Sequence, residues 1–213
     1  MRKQINLQTG IGLLIVAMAV LCTACGGDVQ KEPVTLVYAS GDYNRINPAM
    51  DEHGEINLLL FDGLTAHDGN NEVVPALAKS WEFDEASCTY TFHLEEGVRW
   101  HDGEPFTAED VKFTIVTFRL AAPNAAFLDY MTMPVLPAHL LEGEDMQESD
   151  FFRAPVGTGP YKLESWDVGQ SIVMVKNEDY FQGAPHIDRV IFKIVTDDNA
   201  RVLQMEAKEL DLA

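Results

Sequence analysis

Cysteine, basic side chains and long apolar runs are all scarce in this sequence, and each scarcity excludes a class of protein. The 213 residues hold three cysteines, Cys22, Cys25 and Cys88, two of them near the start. The body of the chain therefore has Cys88 alone, which excludes a disulfide framework and a cysteine-built zinc site. Lys and Arg number 15 against 34 Asp and Glu, for a formal net charge of -19. So acidic a chain repels phosphates, and nucleic acid is excluded as a partner. Anionic lipid head groups are repelled too, so membrane attachment needs a covalent anchor or an apolar segment. The catalytic signatures are also missing. There is no His-Glu-x-x-His pair, no Gly-x-Ser-x-Gly elbow, no phosphate loop and no spaced calcium loop. His53, His67, His139 and His186 stand singly. The chain is read as a non-enzyme with no cofactor and no metal.

What is present begins with a core and an anchor. Hydrophobic residues make up 46% of the chain, enough for one large domain or two small ones. Arg2 and Lys3 precede the apolar run "IGLLIVAMAVL" (11–21). That run is shorter than the about 20 residues of a comfortable span and has the flanks of a secretory signal. It ends in "LCTACGGDVQKEP". Ala24-Cys25 resembles the end of a bacterial lipobox, with Cys25 lipidated as the mature N-terminus. Cys22 stands where such boxes usually carry an aliphatic residue. A plain signal peptide cut after Ala24 is the alternative. Residues 1–24 are thus the signal peptide and 25–33 a lipidated tether, and the mature charge is -21, since removal takes away two bases and no acid.

Further along, "VTLVYAS" (34–40) reads as a buried strand and residues 41–54 as a loop. "EINLLLFDGL" (55–64) reads as a short helix, residues 66–75 as a turn and a short strand, and "ALAKSW" (76–81) as a single helical turn. In "CTYTFHL", Cys88, Tyr90, Phe92 and Leu94 alternate with Thr89, Thr91 and His93, so period two puts the first set on a core. "SWEFDEASC" supplies its partner strand and turn. "YKLESW" and "QSIVMVKN" form a hairpin, Val190, Phe192 and Ile194 mark another strand, and "DDNARVLQMEAKEL" is a helix capped by Asp197 or Asp198.

His101-Asp102 needs separate treatment, because this dipeptide binds metal in some phosphohydrolases. Here it lies in "HDGEP", a turn that leads into "FTAED". Thr107 is the expected N-cap, Asp110 takes the capping-box position, and Phe106 with Val111 forms a hydrophobic staple. No set of His and Asp residues on helices accompanies the pair, so it is read as structural.

Two stretches, "VVPALAKSWEFDEASCTYTFHLEEGVRWHDGEPFTAEDVKFT" (73–114) and "PVGTGPYKLESWDVGQSIVMVKNEDYFQGAPHIDRVIFKIVTDDNARVLQMEAKELDLA" (155–213), resemble the family 5 extracellular solute-binding proteins of ABC importers. The resemblance covers nearly all of the chain after Pro33. It implies an α/β (mixed α+β) fold of the periplasmic-binding-protein type II kind. Residues 34–154 would form a first-lobe segment with a small α/β subdomain, and 155–213 the returning first-lobe sheet segment. Family members are roughly twice this long, so the second lobe is expected to be absent. They also carry a longer helix and further strands after "EDVKFT", whereas here Ile115 abuts Val116 with no turn residue. An internal loss near 115–117 is therefore expected.

The resemblance implies a monomeric, two-lobed receptor that closes on a solute and hands it to the permease subunits of an ABC importer in the membrane. The solute is an oligopeptide, a nickel chelate or a related compound. Peptide-binding members hold the ligand partly by strand-like pairing. First-lobe candidates for contact are Tyr43, Asn44, Arg45, His53, Gly157, Thr158, Gly159 and Tyr161, with Gly157 and Gly159 also suited to a turn. The alternatives are a non-transporting surface lipoprotein or degenerate fragment with no solute site, and a hydrolase using His101-Asp102. The expected location is extracytoplasmic, anchored to the cell membrane by Cys25 on the periplasmic or outer face. Its acyl chains contribute roughly 0.8 kcal/mol per buried methylene, so Cys25→Ser should move the protein from the membrane to the soluble fraction. Mature wild-type protein with an unmodified N-terminus at Cys25 would count against lipidation.

Overall fold

Strand β1 (Thr35–Ser40) is the first element of the computed structural model, which describes residues 32–43, 45–48, 54–114, 120, 122, 124 and 126–213. Residues 1–24, expected as a signal peptide, together with Cys25, Asn44, His53 and the junction at 115–117, lie outside the described residues. Residues Pro33–Ala213 form one unit, built as a four-stranded sheet with two smaller ribbons.

The sheet has the order β1-β8-β7-β6, with β6 at Tyr161–Asp167, β7 at Ser171–Lys176 and β8 at Arg189–Ile194. β6 with β7 and β7 with β8 pair antiparallel, whereas β1 lies parallel to β8 with Tyr38 opposite Phe192. Alternation decides which face is dry. Ile172, Met174, Val190 and Phe192 are buried on one side. They pack against helix α1 (Gly54–Leu60) through Ile56 and Leu60, and against Phe61, Leu136, Leu141 and Phe152. Helix α5 (Asp198–Glu206) follows β8. Asp197, not Asp198, is its cap, accepting from the Ala200 N–H at 2.8 Å. The chain then returns along the other edge of β1, where Tyr38 bridges Leu212 in parallel and the Ala39 N–H donates to the Leu212 carbonyl at 2.9 Å.

The second core gathers Leu64, Leu77, Ala78, Val98, Trp100, Phe106, Phe127, Met131 and Val135. It sits under two antiparallel ribbons, β2 (Thr65–His67) with β3 (Val73–Pro75), and β4 (Ala78–Asp84) with β5 (Thr89–Leu94). Along β5, Tyr90, Phe92 and Leu94 are half-buried while Thr89, Thr91 and His93 are exposed, as the period of two requires. Three sequence expectations need correction. "ALAKSW" is no helical turn: β4 starts at Ala78. Pairing with β5 prevails there, because it sets Trp81 beside Phe92 and Phe83 beside Tyr90, with ring centroids 6.3 and 4.5 Å apart. Cys88 precedes β5 in a left-handed conformation (φ 51°), so it belongs to the turn. Residues 66–75 hold two strand pieces where one was expected, because Thr65–His67 pairs with Val73–Pro75.

Helix α2 (Ala108–Thr114) begins as the sequence requires. Thr107 Oγ1 accepts from the Glu109 N–H at 3.2 Å, and Asp110 Oδ2 accepts from the Thr107 N–H at 2.9 Å. Asp110 Oδ1 also accepts from the Ala138 N–H at 3.0 Å, which ties the cap to α4 (Ala138–Leu141); α3 is the short helix Phe127–Tyr130 between them. Phe106 and Val111 share the second core. Thr107→Ala should therefore lower stability by about 0.5–2 kcal/mol, read by urea unfolding. An unchanged midpoint would show that Asp110 holds the turn without the threonine.

Candidate functional site

The segment 156–160 is where the sheet meets everything else. Its backbone presses on the C-terminal end of α1, and the Gly159 N–H donates to the Leu60 carbonyl at 3.0 Å. A Cβ on Gly157 would lie 1.7 Å from the Leu60 oxygen, and one on Gly159 2.5 Å from the Leu59 oxygen. These glycines are required for space, not for the turn conformation expected of them. On the far side, the His101 N–H donates to the Gly157 carbonyl at 2.8 Å. The Gly157 N–H donates to His101 Nδ1 at 3.1 Å, and His101 Nε2 lies 3.0 Å from the Gly159 carbonyl. The ring is thus the neutral Nε2–H tautomer, fully used in joining its turn to this segment. The structural reading of His101 holds. Asp102 pairs with His139 at 2.9 Å.

A cleft of about 590 Å³ opens beside this segment. Its walls are α1, through Asn57 and Leu58, and the β2–β3 ribbon, with residues 132–134 and Tyr180 closing the ends. Asp62 is at the cleft, and no basic partner among the described residues holds it: Oδ1 accepts from the Tyr180 hydroxyl at 3.0 Å and Oδ2 from the Thr158 hydroxyl at 3.1 Å. His67 lines the ribbon side and pairs with Asp129 at 3.0 Å.

The residues singled out from sequence lie elsewhere. Tyr43 is 2% exposed. Its hydroxyl shares a short hydrogen bond with the Ser40 hydroxyl and donates to Glu55 at 2.9 Å. Burial and the nearby Glu55 carboxylate raise its ionisation above the ordinary phenol value. Arg45 is exposed and donates to the Gln147 carbonyl. Thr158 is 1% exposed and spends its hydroxyl on Asp62. Tyr161 is buried and donates to the Ile187 carbonyl at 3.1 Å. None of these side chains lines the cleft, although Pro160 does. Sequence reasoning missed Asp62, Asn57 and Tyr180. The available signal was one acid directly after the apolar run "INLLLF", where a helix end is normally left to solvent.

Two ionisable groups share segment 156–160 with opposite consequences for stability. Burial raises the Asp62 carboxyl to about 6, against the opposing hydrogen bonds of Tyr180 and Thr158. Between its unfolded value and about 6 the folded chain holds the extra proton, so stability falls as pH rises through this window. Burial lowers His101 to about 4. There the unfolded chain holds the extra proton from about 6.5 down, so stability falls as pH falls. The two slopes oppose each other between pH 4 and 6. Asp62→Asn removes one of them. Its stability relative to wild type should rise by about 3 kcal/mol from pH 4 to pH 7, as measured by urea unfolding at both. A difference independent of pH would show that Asp62 is ionised normally in the fold.

Comparison with known proteins assigns this architecture. The family description "Bacterial extracellular solute-binding proteins, family 5 Middle" matches residues 72–117 and 114–213, two segments that meet at 114–117. Protein XP55 of Streptomyces lividans is 31% identical over 92% of this chain and 43% of its own length. That alignment runs over 235 positions, more than the 213 residues available, so the relative carries some tens of residues that this chain lacks. The structure of NikZ from Campylobacter jejuni in complex with Ni(L-His) superposes with a TM-score of 0.76 at 31% identity, over 86% of this chain and 43% of NikZ. The oligopeptide-binding protein AppA of Bacillus subtilis in complex with a nonapeptide also gives 0.76, at 28% identity, over 84% of this chain and 44% of AppA. The chain thus spans less than half the length of each of these relatives. It is a mixed α/β member of a binding family and not an enzyme: this protein belongs to family 5 of the bacterial extracellular solute-binding proteins.

Proposed function

We propose that the chain captures an oligopeptide, or a related solute such as a nickel chelate, for an ABC importer, and passes it to permease subunits in the membrane. The observation that carries this reading is the cleft beside α1, on a unit that superposes at a TM-score of 0.76 on relatives solved with Ni(L-His) and with a nonapeptide. The described unit acts as the first lobe, and its cleft is one wall of a site that a second lobe completes on closure. Lipid on Cys25 holds the receptor at the outer face of the cell membrane, where the solute arrives. Recognition needs no covalent chemistry. Backbone groups and a few polar side chains in a concave, largely apolar surface suffice for a solute of this size.

We also propose an internal loss at 115–117. It is supported by the family match, which breaks into two segments there, and by the extra aligned positions in XP55. The loss falls directly after α2 in the chain. A specific second reading follows from it, a lipoprotein that has lost solute capture. Micromolar affinity corresponds to about -8 kcal/mol, and one wall sharing contacts evenly with another supplies only part of that.

Titration of the isotopically labelled 213-residue chain with mixed oligopeptides and with nickel-histidine, followed by NMR, separates the readings. Solute capture predicts saturable shifts at Asn57, Asp62 and Gly63 with affinity no better than about millimolar. Absence of saturable shifts would favour the non-transporting lipoprotein. A micromolar site would show that this unit suffices alone.

A further inference from the structure

Tyr180 closes one end of the cleft, and its hydroxyl faces two acceptors. Asp62 Oδ1 lies 3.0 Å away and Gln182 Oε1 3.5 Å away. The first belongs to the cleft wall and the second to the turn that carries Tyr180, so the hydroxyl keeps an acceptor whether the ring stays or swings. Asp62 has no such reserve. Its other tie is Thr158, which is 1% exposed and fixed in the segment 156–160. Without Tyr180, an ionised Asp62 would keep that one side-chain donor and no cation among the described residues, which is unfavourable for a carboxylate set back from water. A protonated Asp62 loses far less, because a neutral carboxyl accepts more weakly and brings a donor of its own. The backbone around the ring is held. Asn177, 3% exposed, ties the start of the turn to the Pro160 and Gly159 carbonyls at 2.7 and 3.1 Å. Phe181 packs against the second core. What is left to move is the half-buried Tyr180 side chain itself, by a change of rotamer.

We propose that Tyr180 is a proton-operated latch on the cleft: ionised Asp62 holds the ring across the cleft end, and a proton on Asp62 lets it swing out. Latched, the ring is part of the wall; released, it leaves the cleft open at that end. Resting on the reading of this cleft as one wall of the solute site, the wall that a solute meets then changes with pH. Burial pushes the Asp62 carboxyl up to about 6, and the Tyr180 hydrogen bond pulls against it. By linkage, a contact that favours ionisation is itself favoured by ionisation. Latching therefore prevails above about pH 6 and release below it. The other charged groups around the latch have partners of their own or lie outside it. His67 pairs with Asp129 on the ribbon side, and Glu178 with Lys176 at 3.0 Å. Asp179 is exposed. Behind the segment 156–160, His101 titrates at about 4, Asp102 pairs with His139, and Lys162 donates to the His101 carbonyl at 3.4 Å.

No solute is needed to test the latch, so its failure leaves solute capture standing. In the isotopically labelled 213-residue chain, the Asp62 carboxyl carbon resonance follows the titration. A neutral gadolinium chelate in solution reports the exposure of the Tyr180 ring protons through the relaxation it adds. From pH 7.5 down to pH 5 that relaxation should rise with the same midpoint as the carboxyl. Tyr180→Phe keeps the ring and removes the hydroxyl, and should raise the Asp62 midpoint. The size of the rise is the preference of ionised Asp62 for the latched ring, about tenfold for each unit of pH. Asp62→Asn has the shape of the protonated carboxyl, and should leave the ring as exposed at pH 7.5 as it is in wild type at pH 5. His67→Gln is the control for the other basic group on the cleft and should keep the wild-type curve. A ring signal that stays constant while Asp62 titrates would overturn the latch, as would a Tyr180→Phe midpoint equal to that of wild type. A pH response abolished by His67→Gln and kept in Asp62→Asn would overturn it as well.

Discussion

The hydrogen bond from the Gly159 N–H to the Leu60 carbonyl fixes the distance between the sheet and α1, and the rest of the unit is arranged around that distance. Only a segment without side chains at 157 and 159 can come so close to a helix end. Once it does, Thr158 is delivered to Asp62, the Asn177 side chain reaches the Gly159 carbonyl at 3.1 Å, and His101 closes the turn from the other side. The last turn of α1 leaves its carbonyls unpaired, as every helix end does. Here that of Leu60 is satisfied by the Gly159 N–H in the lead into β6. Helix, sheet and second core are therefore coupled through five residues.

That coupling sets two half-buried titrating groups against the same segment. Neutral His101 is stabilising only while it stays uncharged, and Asp62 is tolerated only because two hydroxyls solvate it. Each would impose a slope on stability near pH 5, and their opposition flattens the sum.

The sequence made some of this readable and not the rest. β5, β7 and β8 were legible because a period of two survives any tertiary context, and β1 because "VTLVYAS" is an apolar run rich in β-branched residues. The Thr107 cap was legible because its partners lie within three residues. The body of β4 was legible as the partner of β5, but its start was not, since the buried triplet Ala76, Leu77 and Ala78 has no period. The cleft was not either. Asn57, Asp62 and His67 share one stretch, but Thr132 and Tyr180 join them from far along the chain, and nothing local distinguishes them from surface polar residues. The loop residues Tyr43 and Arg45 drew attention through their polarity, yet they spend it on holding the loop to Glu55 and Gln147.

The position of β1 has a consequence for how the chain is made. Its neighbour on one edge is β8, and on the other the residues around Leu212. Both lie more than 150 positions further along, so the first strand to be synthesised is among the last to find partners. Loop closure over such separations is slow, and until it happens the main-chain groups of "TLVYAS" stay open to other molecules. The four-stranded sheet is consequently completed only once residues 189–213 are available.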